Sequence, residues 1–388
     1  MTSTGEPTPR STAEILAQAL ERLERVSGAE DGRRVVAAMS GGLDSSVTAA
    51  LLHRAGYEVV GISMHLFDKG AGLRTSEGKC CTLNDFQDAK RVADLVGFPH
   101  YVLDFETRFQ EKVIQPFVAS YARGETPSPC ILCNQFLKFK SLIEAANELG
   151  ARFVATGHYA KILFRDGTYH LLKADDPLKD QSYFLFSHTQ ETLARTLFPL
   201  EGLAKAQVRE LARFLGLPVA EKPESQEICF VTQGRYDKYL EEKGCAPREG
   251  QGPFRHVDGT LLGQHDGYWR FTVGQRRGLG IAYARPLYVT GIDPATRTVW
   301  VGEAEHLYGS DLEAREATWC GMPPAAPFPC RAKLRSRSSE APAFVEPLGD
   351  GRVRVRFESP QRAITPGQAI VFYEGDEVLG GAWIERGR

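Results

Sequence analysis

The run RVVAAMSGGLDSSVTAALLHRAG, residues 34–56, limits what this chain can fold into more than any other stretch. An apolar β-branched segment meets two glycines, and an apolar segment of helical length then runs to Gly56. This predicts a strand, a tight turn and a helix start. Gly41 and Gly42 permit backbone geometry and close approach that side chains block. The helix behind the turn directs its unbonded N–H groups and positive dipole end at whatever the turn holds, which suits a phosphate. A Walker loop would end in Gly-Lys-Ser/Thr, whereas Leu43-Asp44-Ser45 stands here, so the lysine that grips the β- and γ-phosphates is missing. The turn therefore reads as a pyrophosphate cradle that leaves the α-phosphate open to attack. Its bland alternative is a glycine-rich turn with an Asp/Ser helix cap.

From about residue 33 to 160, short strand-like runs (RRVVAAMS, EVVGISMHLF, PHYVLDF, ARFVATGHYAKI) alternate with helical ones (SSVTAALLHRAG, LNDFQDAKRVADLVG, NQFLKFKSLIEAANELG). That alternation implies an α/β fold with a doubly wound parallel sheet. Ligands on such sheets sit at the carboxyl ends of strands, where Ser40 to Ser45, Met64, Asp104 and Gly157-His158 fall. After about residue 224 glycine and proline become dense and short strands take over, which reads as all-β with a small barrel. The expected organisation is an N-terminal extension (1–30), a nucleotide-binding domain (31–223), a small mixed central domain carrying the Cys229 loop (224–285) and a C-terminal β-barrel (286–388).

With 388 residues, 42% hydrophobic and 25% charged, the chain suits a soluble globular protein of two or three domains. No stretch approaches the roughly 20 apolar residues of a membrane span. Eight unevenly placed cysteines behind an N-terminus with no apolar leader argue for a reducing cytoplasm rather than a disulfide framework. A net charge of −2 supplies no global attraction to nucleic acid. Local basic candidates are Arg276 and Arg277, and Arg331, Lys333, Arg335 and Arg337, which strand alternation would place on one barrel face.

Cysteines carry the remaining chemistry. Cys130 and Cys133 form a C-x-x-C pair after two prolines at a helix start, a position that favours the thiolate. Read blandly, the pair is a redox couple or half a zinc site, and the adjacent Cys80 and Cys81 suit chelation poorly. Cys229, in KPESQEICFV, is either presented on a loop entering a strand or simply buried, since free cysteine behaves as a small hydrophobe. Cys245, Cys320 and Cys330 suggest no role.

Taken in order, AMSGGLDSS, GISMHLF, PSPCILCNQFLKF, TGHYAKI, KDQSYFLF, SQEICFV, FTVGQRRGLGIA, PLYVTGID and TPGQAIVFY resemble the succession of motifs in bacterial and mitochondrial tRNA-specific 2-thiouridylases, members of the PP-loop ATP pyrophosphatase superfamily. The resemblance covers residues 34 to about 384. It implies replacement of the 2-oxygen of a wobble uridine in tRNA by sulfur, with ATP and Mg²⁺ as cofactors and a sulfur-relay protein as partner. By position it implies that Ala38, Met39, Ser40, Gly41, Gly42, Leu43, Asp44 and Ser45 hold ATP together with Met64 and Gly157, Asp44 also organising Mg²⁺ or pyrophosphate. Cys133 matches the catalytic cysteine and Cys229 the bearer of the persulfide. Ser128, Pro129 and Cys130 match the stretch facing the target base, and His158, Lys179, Asp180, Gln181, Arg335, Ser336 and Gln368 fall among tRNA contacts. Two departures stand out: Cys130 replaces an aspartate of many members, and Ser336 replaces an aromatic. Cys130, Cys133 and Cys229, were they to meet in one pocket, would also suit a [4Fe–4S] cluster as an alternative to the persulfide. The competing classes are a PP-loop synthetase that adenylates a small metabolite, and a non-catalytic RNA-binding or iron–sulfur protein.

Overall fold

The computed structural model describes residues 11–26, 33–67, 83–224, 228–231, 236–247 and 249–387. Cys80 and Cys81, and Ser225, Gln226 and Glu227 beside Cys229, lie outside the described residues. The first layer is built on β1 (Arg34–Ala38), β2 (Glu58–His65), β3 (His100–Asp104) and β4 (Phe153–Ala155); a hairpin of β5 (Lys161–Arg165) and β6 (Thr168–Leu172) and the short β7 (Thr196–Leu197) follow. β3, β2, β1, β4 and β7 form one parallel sheet in that order. The expected α/β fold is thus present. The strands all run the same way, and it is the strand order that reverses at β1, which has β2 on one side and β4 on the other. That switch point is where a doubly wound sheet opens a crevice for ligand.

Both faces of the sheet are covered. Val35 and Ala37 join a core with α1 (Thr12–Val26), α2 (Leu43–Arg54), α3 (Leu83–Val96) and the helix Lys205–Phe214. Val36 and Val154 point the other way, onto Phe109, Phe117, Leu137 and Leu142 from helical residues 106–122 and 129–148. Successive residues of one strand thereby serve two cores, as period-two geometry demands. α2 is buried on nearly all sides, including Ser45, Ser46 and Thr48.

Four strands make the central unit: β8 (Gly252–His256), β9 (Leu261–His265), β10 (Tyr288–Asp293) and β11 (Thr298–Gly302), in the order β10-β11-β8-β9. Residues 288–302 therefore pair with the central strands and not with the barrel, because β11 lies parallel to β8 (Val299 opposite Phe254). The boundary expected at residue 285 falls inside this sheet. The last unit comprises β12 (Tyr308–Trp319), β13 (Phe328–Lys333), β14 (Ala341–Gly349), β15 (Arg352–Arg362), β16 (Ala369–Glu374) and β17 (Glu377–Gly387). β12 pairs with both β15 and β17, which closes six strands into a barrel around Val345, Val355, Phe372 and Ile384. β6 adds to β17, so the hairpin of the first unit extends a barrel strand.

Candidate active site

The Ser40–Gly42 turn owes its shape to space as well as backbone freedom. Gly41 has φ +69°, and a Cβ there would stand 2.1 Å from the Asp85 carbonyl oxygen. Gly42 caps α2 without a side chain, while the Ser45 hydroxyl lies 3.2 Å from both the backbone nitrogen and the hydroxyl of Ser40. Ser46 donates to the Gly42 carbonyl at 2.8 Å. Gly157, at the end of β4, has the same steric reason to be glycine: a Cβ would meet the Asp44 carbonyl carbon at 2.8 Å. The two loops flanking the switch point thus touch across the crevice.

The missing lysine arrives from elsewhere. Lys205 Nζ donates to both carboxylate oxygens of Asp44, at 2.6 and 2.8 Å, and lies 3.3 Å from Glu224. Tyr159 donates its hydroxyl to Asp44 Oδ1 at 2.8 Å; burial first, and then the Asp44 charge, raise its pKa far above the ordinary tyrosine value. Lys222 Nζ donates to the Gly41 carbonyl at 2.9 Å and to Asp85 and Asp88 at 2.8 and 2.6 Å. Sequence reasoning missed Lys205, Lys222 and Tyr159. No local pattern marks them, since 161 positions separate Lys205 from Asp44.

A cleft of about 370 Å³ opens beside the turn. From the nucleotide set it is lined by Ala38, Met39, Ser40, Asp44, Ser45, Met64 and Gly157, and from the thiol set by Cys130, Cys133 and Cys229. Gly41, Gly42 and Leu43 complete the turn without lining it. Pro129 is buried at the first turn of its helix, where its missing N–H costs nothing, while Cys130 is exposed and Cys133 half-buried. Cys229 is half-buried in a turn closed by Val231 N–H donating to the Ile228 carbonyl at 3.1 Å. The expected loop entering a strand is instead this turn, anchored by Phe230, whose ring meets Phe117 at 5.1 Å and Phe109 at 5.6 Å. Three cysteine sulfurs among the residues lining one cleft are the kind of soft donor an iron–sulfur cluster takes.

His158 and Gln181 line the same cleft. His158 shares a 2.7 Å hydrogen bond with Thr156 Oγ1, and burial, then the Lys138 and His188 charges, hold its pKa well below the ordinary histidine value. Gln181 accepts from Tyr159 N–H at 2.9 Å. The neighbouring residues do structural work: Asp180 accepts from the N–H groups of Ala174 and Ser182, both at 3.1 Å, and Lys179 pairs with Glu224 at 2.7 Å. That contact first, with Lys205 adding to it, lowers the Glu224 carboxyl below its usual range against the opposing effect of burial. Gln368 donates to the Thr126 and Pro127 carbonyls at 2.9 and 3.3 Å, bracing the chain that leads through Ser128 to Cys130.

The single basic face expected along Arg331, Lys333, Arg335 and Arg337 ends early. β13 stops at Lys333, Ser336 and Arg337 lie in a turn, and Arg335 bends to donate to Thr365 Oγ1 at 2.7 Å and the Val273 carbonyl at 3.2 Å. Arg276 lines an open groove in the central unit together with Tyr283 and Arg285. Asp104, on the rim, faces His65 at 3.9 Å, and with Glu106 these present ligand atoms within 4.8 Å of one another. Cys320 and Cys330 are held protonated, burial pushing both thiols up to about 12.

Comparison with known proteins bears on the whole chain. Residues 33–233 match the tRNA methyl transferase HUP domain, 238–303 the tRNA methyl transferase PRC-barrel domain and 310–384 the aminomethyltransferase beta-barrel domain. The chain is 52% identical to the tRNA-specific 2-thiouridylase MnmA of Geobacter metallireducens over 91% of its own length and 97% of that protein. It is 49% identical to the protein of the same name from Solibacter usitatus, over 90% and 99% of the two chains. Among solved structures, the U34-tRNA thiolase NcsA of Methanococcus maripaludis with its [4Fe-4S] cluster aligns with 62% of this chain and 81% of that one, at 18% identity and a TM-score of 0.37. A glycine turn at the switch point of a HUP-type sheet defines a PP-loop nucleotide-binding enzyme. Within that class, the chain belongs to the tRNA-specific 2-thiouridylase family.

Proposed function

We propose that this protein thiolates the 2-position of the wobble uridine of tRNA in the cytoplasm, using ATP and a persulfide carried on Cys229. The observation that supports this most directly is one cleft lined both by Ser40, Asp44 and Ser45 of the glycine turn and by Cys130, Cys133 and Cys229. ATP lies over residues 38–45, with Met64 and Gly157 around the nucleotide. The uracil O2 attacks the α-phosphorus, pyrophosphate leaves with its electron pair, and C2 becomes open to sulfur. The terminal sulfur of the Cys229 persulfide bonds to C2. Cys133 thiolate then attacks Cys229 Sγ; the sulfur–sulfur bond breaks toward the base, AMP departs, and a Cys133–Cys229 disulfide remains for a thiol reductant. Covalent activation divides one difficult substitution into two easier steps.

Ser128, Pro129 and Cys130 face the flipped base in this reading, with His158 and Gln181 deeper in the same cleft. Lys179, Asp180, Arg335, Ser336 and Gln368 shape the surrounding tRNA surface, and a sulfur-relay protein reloads Cys229. Mg²⁺ would be held by the phosphates and by Asp44, and supplies charge neutralisation on the leaving pyrophosphate. Because Lys205 engages both Asp44 oxygens, metal binding there has to displace that ammonium. A [4Fe–4S] cluster is the second reading, favoured by Cys130 lining the same cleft as the two other thiols; the three cysteines would hold it, and it would supply an iron site for hydrosulfide.

Anaerobically purified protein separates the two. Iron and acid-labile sulfide are measured on the sample that is assayed for thiolation of an unmodified wobble-uridine tRNA with ATP, Mg²⁺ and a sulfide source. Full activity in iron-free protein, lost in Cys229→Ser, is the expected result. Activity that tracks iron and disappears in Cys130→Ser would transfer the role to a three-cysteine cluster. Absence of thiolation in either state would sink both.

A further inference from the structure

Phosphoryl chemistry at a turn without its own lysine needs a cation from somewhere, and three lysines stand nearby. Lys205 is committed to Asp44 and Glu224, and Lys222 to Asp85, Asp88 and the Gly41 carbonyl. The third is Lys138, which lines the cleft with Cys133, His158 and Ser40. Among the described residues it has neither an ion-pair nor a hydrogen-bond partner. Its charge is nevertheless felt in the cleft, since it is the second cause, after burial, of the lowered pKa of His158.

The local backbone explains how Lys138 comes to stand there. Cys133–Ser141 is a π-helix, in which residues five apart are bonded across one turn and share a face. In an ordinary α-helix the fifth residue on lies about 140° around the axis, which would turn Lys138 away from Cys133. The rotation is fixed on both sides: Leu137 is fully buried, Phe139 packs its ring 4.1 Å from His188, and Asn134 donates to the Phe184 carbonyl at 3.1 Å. The π-turn thus brings one thiol, and an ammonium with no partner among the described residues, to the lining of the cleft that Ser40 of the nucleotide turn also lines.

We propose that Lys138 is the cation of the phosphoryl-transfer step, donating to a non-bridging oxygen of the ATP α-phosphate as the uracil O2 attacks. This rests on the thiouridylase reading above. The O2–phosphorus bond forms, the bond from phosphorus to the α,β-bridging oxygen breaks, the electron pair leaves with pyrophosphate, and the N3 proton passes to solvent. Charge growing on the phosphate oxygens is what an ammonium held in a cleft stabilises.

The test is tRNA-dependent pyrophosphate release, measured for wild type, Lys138→Gln, Lys138→Met and Lys138→Arg, with kcat and both KM values resolved and melting temperatures recorded. Removing a charge that acts on the transition state lowers kcat by about 100-fold with the ATP KM little changed. Arg is expected to restore most of that loss in an otherwise unchanged fold. Neutral variants that release pyrophosphate at the wild-type kcat would overturn the assignment. A rise confined to the tRNA KM would also overturn it, by making Lys138 a contact to the RNA backbone. Wild-type protein that neither releases pyrophosphate with tRNA nor thiolates it would remove the thiouridylase reading itself, and this assignment with it.

Discussion

At the scale of single residues, the site is set by close approaches that tolerate no extra atom and by charges already committed. Gly157 shows the first: a methyl group there meets Asp44 backbone at 2.8 Å and Ser45 N at 2.9 Å. Gly157→Ala should therefore cost about 1–3 kcal/mol, as overpacking does, and raise the ATP KM by moving the start of α2. Thermal melting and ATP titration check both. Lys205 shows the second. Lys205→Met leaves the half-buried Asp44 carboxylate with only the Tyr159 hydroxyl, so the turn loses the ammonium that neutralises it. We expect a lower melting temperature at neutral pH, together with a lower Mg²⁺ concentration for half-maximal activity, because the metal no longer competes with an ammonium for Asp44. An unchanged Mg²⁺ requirement would mean that the metal does not use this carboxylate.

At the scale of elements, two buried histidines link the helical wall of the cleft to pH. Burial pushes His188 down to about 3 and lowers His158 well below its ordinary value, with Lys138 and then His188 adding to the latter. The unfolded chain takes up these protons near pH 6.5 while the folded one does not, so stability falls as pH drops below about 6.5. Each histidine contributes on the order of 1 kcal/mol per pH unit in that window. Melting temperatures between pH 7.5 and 5 should show the fall, and His188→Leu should flatten it. These elements also show what the sequence makes legible. Strand–glycine–helix alternation exposes the parallel sheet and its carboxyl rim, because local period and turn chemistry decide them. The π-helix is invisible to that reading, since a 3.6-residue period places Lys138 away from Cys133. The early end of β13, which takes Arg335 off its face, and the pairing of residues 288–302 with β8 depend on partners distant in sequence. The cysteines were legible as types and spacings, but their meeting in one cleft is a product of the fold.

At the scale of the whole molecule, the barrel reaches into the catalytic unit rather than standing beside it. Thr126 N–H donates to the Pro366 carbonyl at 2.8 Å, Gln368 holds the Thr126 and Pro127 carbonyls, and Arg315 meets Glu125 at 3.3 Å. These contacts grip the chain just before Pro129 and Cys130, so the position of the first thiol depends on a domain that contributes no residue to the cleft lining. Gly367 is the tightest point: its φ is +85°, and a Cβ would stand 2.8 Å from Glu125 Cβ and 2.9 Å from Thr126 N. Gly367→Val would add left-handed backbone strain of about 1–2 kcal/mol to a wedge of about 1–3 kcal/mol. The expected outcome is a melting temperature several degrees lower and a thiolation kcat reduced at least tenfold, with ATP affinity within twofold of wild type. ATP affinity is spared because the glycine turn takes its support from Asp85, Lys205 and Lys222, none of them near this seam. Gln368→Ala separates geometry from packing strain, for it removes two hydrogen bonds without a wedge; kcat should fall while unfolding free energy drops by only about 1–2 kcal/mol. Wild-type kcat in both variants would mean that the seam only holds the domains together and that the thiols find their places without it.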